Sequence, residues 1–283
     1  MQKKNLTSKR VHLYLLFAYA FCLMTRRMRA LLLATLFPCL GFSGIYLGPD
    51  VFYRYFKELI ASEGKSEERG WLPGFQAGGD YEKSFRPYIG GDLRFAEGQT
   101  RFEGTLQNHV LRKFLPFSSH TENTIFNAEG RLGYTLAWKR IRFSPFFAMG
   151  FQGWLRKAVD RSTGYDEWYR WNYLAVGLRC NWRYSASWSG GLFINLMRMK
   201  TADVQIRGLY SWPVILNLAD EWQTEAQLPL SWNHGPYRLC SVTYFRYLPI
   251  GKSEMQRTSR GEIFVPASVT YAIGNRLEFM YQF

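Results

Sequence analysis

Beyond residue 44 this 283-residue chain has no apolar run approaching the roughly 20 residues that a helix needs to cross a bilayer. Membrane-spanning helices are therefore excluded from that region. Cysteine is scarce. Of four, Cys22 and Cys39 lie near the N-terminus, leaving Cys180 and Cys240, too few for a disulfide framework. Their strand phase, given below, points them to opposite sides of a wall and assigns each an inert structural role. Histidine is nearly as rare, with only His109, His120 and His234 after the first 44 residues. No metal-ligand spacing, nucleotide-binding glycine motif or haem motif occurs, so neither a metal nor a cofactor is expected. Basic blocks of the kind that mark nucleic-acid arms are missing too, and nucleic acid is not an expected partner.

Aromatic residues, in contrast, make up 18% of the chain (10 Trp, 18 Tyr, 22 Phe), while the mean hydropathy is only −0.24. Many aromatics and 25 glycines without long apolar runs fit side chains that alternate between two environments. A soluble β-sandwich alternates as well, so composition does not decide between them. The formal charge of +14 is concentrated at the start. Residues 1–44 hold seven of the 36 basic residues and no acid, which leaves 29 against 22, a net +7. A mildly basic exterior of that kind suits phosphate-bearing lipopolysaccharide, and equally a solvated surface.

The N-terminal region is laid out as a secretory signal peptide. Arg26, Arg27 and Arg29 form a positive region, Ala30 to Leu40 an apolar one, and Gly41-Phe42-Ser43 supplies small residues for cleavage after Ser43. Residues 1–43 are read as a leader and 44–283 as the mature domain. Met24 and Met28 are alternative starts, and an uncleaved anchor is the competing reading. Cys39 lacks the preceding small residues of a lipoprotein site.

The mature region carries period-2 segments of the length of transmembrane strands. In the last, Ile273, Leu277, Phe279, Tyr281 and Phe283 share one face, and Arg276, Glu278 and Gln282 the other. A one-residue slip would place charge in hydrocarbon at a cost of about 2–4 kcal/mol for a mid-bilayer Arg. The same phase recurs over 129–138, 141–156, 173–184 and 222–232. It recurs with less contrast over 47–59, 71–82, 88–96, 187–198 and 237–247, with Phe52 and Phe56 blurring the first of these. Ten strands result, with eight and twelve as alternatives. The connections alternate long (60–70, 97–123, 157–167, 199–221, 248–262) and short (83–87, 139–140, 185–186, 233–236), as outer loops and periplasmic turns do. The expected fold is all-β, a closed antiparallel transmembrane barrel.

The segment Arg276-Leu277-Glu278-Phe279-Met280-Tyr281-Gln282-Phe283, with Tyr88 to Leu93 and Glu129 to Tyr134, resembles the strands of bacterial outer-membrane β-barrel proteins of the small OmpA-like and porin-like type. The resemblance covers about residues 45–283 and identifies no subfamily. It implies location in the outer membrane of a Gram-negative bacterium, among lipid and lipopolysaccharide. It also implies passage through periplasmic chaperones and the barrel assembly machinery, and a monomer. Leu277, Phe279, Tyr281 and Phe283 would be the C-terminal signal read by that machinery.

Twelve charged residues fall on the inward phase: Arg54, Asp80, Asp92, Arg94, Glu129, Arg131, Arg179, Arg183, Glu225, Arg246, Arg276 and Glu278. They describe either a narrow pore whose selectivity they set or a plugged interior held by ion pairs. An enzyme of the protease or lipid-modifying kind is a competing class. Its only local signal is Ser118-Ser119-His120, which is weak because triads assemble in space. A surface adhesin or interaction protein is a third, on the apolar stretches Phe114 to Phe117 and Leu209 to Leu218 within the outer loops.

Overall fold

The computed structural model describes residues 44–60, 66–108, 113–158, 165–208, 212–258 and 261–282. The predicted leader, His109 and Phe283 lie outside these. Each described element is a strand: β1 Gly44–Glu58, β2 Ser66–Tyr81, β3 Arg86–Asn108, β4 Lys113–Trp138, β5 Ile141–Ala158, β6 Asp166–Arg183, β7 Trp188–Arg207, β8 Val214–Asn217, β9 Trp222–His234, β10 Tyr237–Ile250, β11 Gln256–Thr258, β12 Gly261–Ile263 and β13 Ser268–Gln282. Ten of them close a ring in the order β1-β2-β3-β4-β5-β6-β7-β9-β10-β13, every neighbouring pair antiparallel, with β13 returning to β1. Closure lets backbone N–H and C=O groups pair within the wall and leaves the ring without an edge strand.

The outward face is apolar between two aromatic belts. At the end with the short turns, Trp138, Tyr184, Trp188, Trp232, Tyr237 and Tyr281 are exposed. At the other limit Tyr53 packs on Trp71 (ring centroids 5.4 Å) and Tyr271 on Tyr247 (5.3 Å), with Trp222 exposed nearby. From Tyr271 to Tyr281 the chain rises about 33 Å along β13. At the usual strand tilt that is about 25 Å along the barrel axis, the height of a lipid-facing band. Phe147 and Met149, 73% and 66% exposed, stand within it.

Beyond the upper belt the wall continues. The sequence places outer loops over 97–123 and 199–221, yet β3 and β4 stay paired from Arg86↔Thr135 to Asn108↔Lys113, and β7 runs on to Arg207. The outward residues of this extension are polar or charged (Glu97, Gln99, Arg101, Glu122). The contrast that marks a strand in lipid is lost there, although the pairing is not. On β7 the phase also changes. A bulge opposite Arg170/Asn172, with Thr201 at φ 46°, shifts the inward set from Phe193, Asn195, Met197 and Met199 to Ala202, Val204 and Ile206. Above β9, β10 and β13 the wall is continued by β8 against β7 and by Leu218 against Ser253. Backbone bonds from Ser253 N to Val265 O (3.0 Å) and from Leu59 N to Ala267 O (2.7 Å) carry it round to β1.

The band and the extension should respond differently to the same incoming side chain. Val176→Arg, within the band, is expected to cost about 2–4 kcal/mol of folding free energy in lipid vesicles. Gln99→Arg, on the extension, should stay within about 0.5 kcal/mol. Equilibrium urea titration of the refolded protein measures both.

Candidate functional site

Inward side chains of the ten strands meet across the lumen in a ladder of ion pairs. Toward the short-turn end, Arg179 on β6 reaches Asp80 on β2 (Nη1 to Oδ2, 2.5 Å), whose other oxygen accepts from the Tyr88 hydroxyl at 3.1 Å. In the next layer Arg131 pairs with Asp92 and lies 3.5 Å from Glu129, its guanidinium over the Phe193 ring at 5.5 Å. Glu129 also accepts from Tyr173 (2.9 Å) and Asn195 (3.2 Å). Arg276 donates to Glu278 and Gln227, each at 2.7 Å.

Farther up, Arg94 on β3 donates to Glu225 on β9, the strand diametrically opposite in the ring, at 2.9 Å; Arg246 shares that carboxylate at 3.2 Å. Tyr244 stands among Arg94, Arg246 and Arg276, its ring centroid 5.8, 5.0 and 5.6 Å from their guanidinium carbons. Its hydroxyl donates to Asp50 at 2.8 Å. Aromatic faces carry negative potential, so one ring eases the crowding of three cations.

At the level of the upper belt the network changes character. Arg54 lies 3.7 Å from the Trp154 ring centroid and donates to Asn123 (3.0 Å), and Trp154 Nε1 donates to the same Asn123 oxygen (2.6 Å). Glu68 is held by Arg156 at 2.7 Å, Arg54 at 3.6 Å and the Thr100 hydroxyl at 2.7 Å; Arg156 also reaches Glu167 at 2.8 Å. Tyr169 stacks on Trp154 (4.6 Å) and joins a buried apolar cluster with Phe56, Val204, Ile206, Leu216 and Leu248.

Eleven of the twelve charged residues on the inward phase have buried or nearly buried side chains in this ladder. Arg183 stands apart. It is the last residue of β6, where the wall ends, and its side chain is exposed at the barrel mouth. Glu68 and Glu167 lie in stretches that the sequence pattern reads as loops, and only the paired extension shows them to be strand residues. The interior aromatics Phe52, Phe56, Tyr88 and Trp154 escape a reading in which aromatics face lipid; the weak contrast around Phe52 and Phe56 is their only trace in the sequence.

Ser118 and His120, two apart on β4, are both exposed on the outer face, but among the described residues no hydrogen bond joins them and no acid completes a triad. Ser119 and His120 are consecutive on β4, so their side chains leave on opposite faces of the wall. His120 is exposed, and His234 is stacked on Trp232 at the β9–β10 turn (5.5 Å). Among the described residues no group of three or more His, Cys, Asp or Glu side chains is placed to hold a metal. Cys180 and Cys240 are both free thiols, with Cys240 buried and Cys180 partly exposed.

Because Glu225 neutralises two buried guanidinium groups, Glu225→Gln should destabilise the barrel by about 3–5 kcal/mol. Arg69→Met removes an exposed partner of Glu103 (3.1 Å) and should cost less than about 1 kcal/mol. Urea midpoints of the two variants in one detergent provide the comparison.

No family model matches the chain, and no curated protein matches it. Among solved structures, it is similar to the outer membrane protease OmpT from Escherichia coli at 7% identity, over 86% of this chain and 98% of that one, with a TM-score of 0.57. The transport unit of the autotransporter AIDA-I from Escherichia coli follows at 11% identity, over 88% and 96%, with a TM-score of 0.45. The translocator domain of the autotransporter NalP from Neisseria meningitidis stands at 9%, over 91% and 95%, with 0.43. At 7% identity the first is a likeness of fold alone. The chain has the fold of the bacterial outer-membrane β-barrels, closed with ten antiparallel strands.

Proposed function

We propose that this protein is an integral outer-membrane barrel whose lumen is sealed by its own side chains, so that it works as a structural platform rather than as an open pore. The observation that carries this reading is the Arg94–Glu225 pair, which joins opposite walls across the lumen. The pairs Arg179–Asp80 and Arg156–Glu68 cross it at other levels. Two cavities lined by inward residues near these pairs measure about 20 and 40 Å3, room for one or a few waters. A hydrated ion would have to break buried ion pairs to pass, and each such break is costly.

The same reading includes export through the leader at residues 1–43 and its cleavage. Leu277, Phe279, Tyr281 and Phe283 would present the final strand to the assembly machinery. Exposed Lys57, Lys157 and Lys200 lie beyond the apolar band, where the phosphates of lipopolysaccharide would be met. Resemblance of fold to a protease does not transfer its chemistry, and Ser118, which shares the outer face with His120, makes no hydrogen bond to it among the described residues.

Planar-bilayer recording of the refolded protein tests the seal. The expected trace is flat across the usual voltage range; reproducible stepwise openings of the native protein would overturn the platform reading in favour of a pore.

A further inference from the structure

At the short-turn end the lumen opens into a cavity of about 500 Å3. Its lining includes Lys139 and Arg140 from the β4–β5 turn, Arg142 from β5, Arg183 from the end of β6 and Arg238 from β10. The charge balance here is unlike that of the ladder above. Each of Arg54, Arg94, Arg131, Arg156, Arg179, Arg246 and Arg276 has a carboxylate within 4.0 Å. Of the five cations of the cavity only Arg142 does, Glu82 at 4.0 Å, and that carboxylate also accepts from Asn181 (2.9 Å) and lies 3.9 Å from Arg179. Among the described residues, Lys139, Arg140, Arg183 and Arg238 have no ion-pair partner. Arg238 donates from Nη2 to Ser231 (2.6 Å), while its Nε is buried without a hydrogen-bond partner.

A solvated basic face would leave such groups spread over the rim and free of one another. Here three strands and one turn bring them to one concavity, walled on its apolar side by Trp182 and Ala137 and offering Asn233 and Gln282 as neutral polar groups. Convergent like charges repel, and a bound anion would relieve that repulsion. Guanidinium forks match tetrahedral oxyanions in paired hydrogen bonds. The volume falls within the range of small-molecule sites, roughly 300–1,000 Å3, and exceeds what one phosphate fills. We infer that this cavity is a binding site for a multiply charged phosphate ligand, a molecule with at least two phosphate groups in tandem. The inference does not depend on whether the lumen above is sealed. The same chemistry is offered by a soluble pyrophosphate compound and by the clustered headgroups of anionic lipid at the rim.

Isothermal titration of the refolded full chain with sodium pyrophosphate, in zwitterionic detergent at low salt, tests this. Saturable one-site binding that weakens as salt is raised is expected. Arg140→Gln/Arg183→Gln should weaken it by about tenfold or more, whereas Arg69→Gln/Arg101→Gln at the opposite end should leave it unchanged. Both positions in the first variant are exposed and outside any ion pair among the described residues, so the barrel should still fold, as migration of unboiled samples on a gel will show. Should it not fold, Arg183→Gln alone reads the same loss at smaller size. Repeating the titration in phosphatidylcholine vesicles with and without phosphatidylglycerol separates the sources. Competition by phosphatidylglycerol supports the site with lipid headgroups as its ligand, and undiminished binding supports it with a soluble one. Absence of saturable pyrophosphate binding, or equal binding by the native protein and the Arg140/Arg183 variant, would overturn the inference.

Discussion

A backbone amide in hydrocarbon has no water to turn to, and that constraint organises this protein from the wall inward. Pairing within the wall requires a closed ring, and a ring of ten strands leaves an interior scarcely wider than its side chains. Whatever faces inward is then confined with its neighbours in a region that water enters poorly. Charges in such a place must be matched within hydrogen-bonding reach. The ladder from Asp80–Arg179 to Glu68–Arg156 follows from confinement, and the aromatic rings of Tyr244, Phe193 and Trp154 fill the spaces between guanidinium groups while moderating their repulsion.

The two ends answer the same constraint differently. On the extension, where β3 and β4 run well past the apolar band, the interior turns apolar around Trp154, Tyr169 and Val204. At the short-turn end the wall stops within a few residues of the lower belt, and four of the five cations of the cavity face it without a carboxylate partner among the described residues. Paired charge in the middle, an apolar fill above and largely unpaired cations below make the molecule chemically polar along its axis. Its lumen sets the fold, and its ends are left to meet other molecules.

The wall within the band is legible in the residues. From Ile273 to Tyr281 and from Trp222 to Trp232, lipid on one side and a charged interior on the other impose opposite chemistries on alternate positions, and a slip of one residue would reverse them all. The extension is illegible for the converse reason. Water bathes its outer face, so Glu97, Gln99 and Arg101 satisfy it as well as any loop residue would. The bulge at Thr201 then inverts the phase of β7 and makes its upper half read as noise. Interior aromatics such as Phe52 and Trp154 obscure the rest, because an apolar ring serves both sides of this wall.

What the sequence determined by itself is which side of the wall each residue of the band takes, since that depends only on neighbours along one strand and the free energy of transfer to lipid. Residues such as Glu225 and Arg94, 131 positions apart, can be assigned to the interior on those grounds. That they are partners, that Arg156 bridges Glu68 and Glu167, and that Arg183 reaches the mouth instead of the ladder were decided only by the closed ring. Ring order and strand stagger bring distant segments to one height, and no periodicity along a single strand encodes that coincidence.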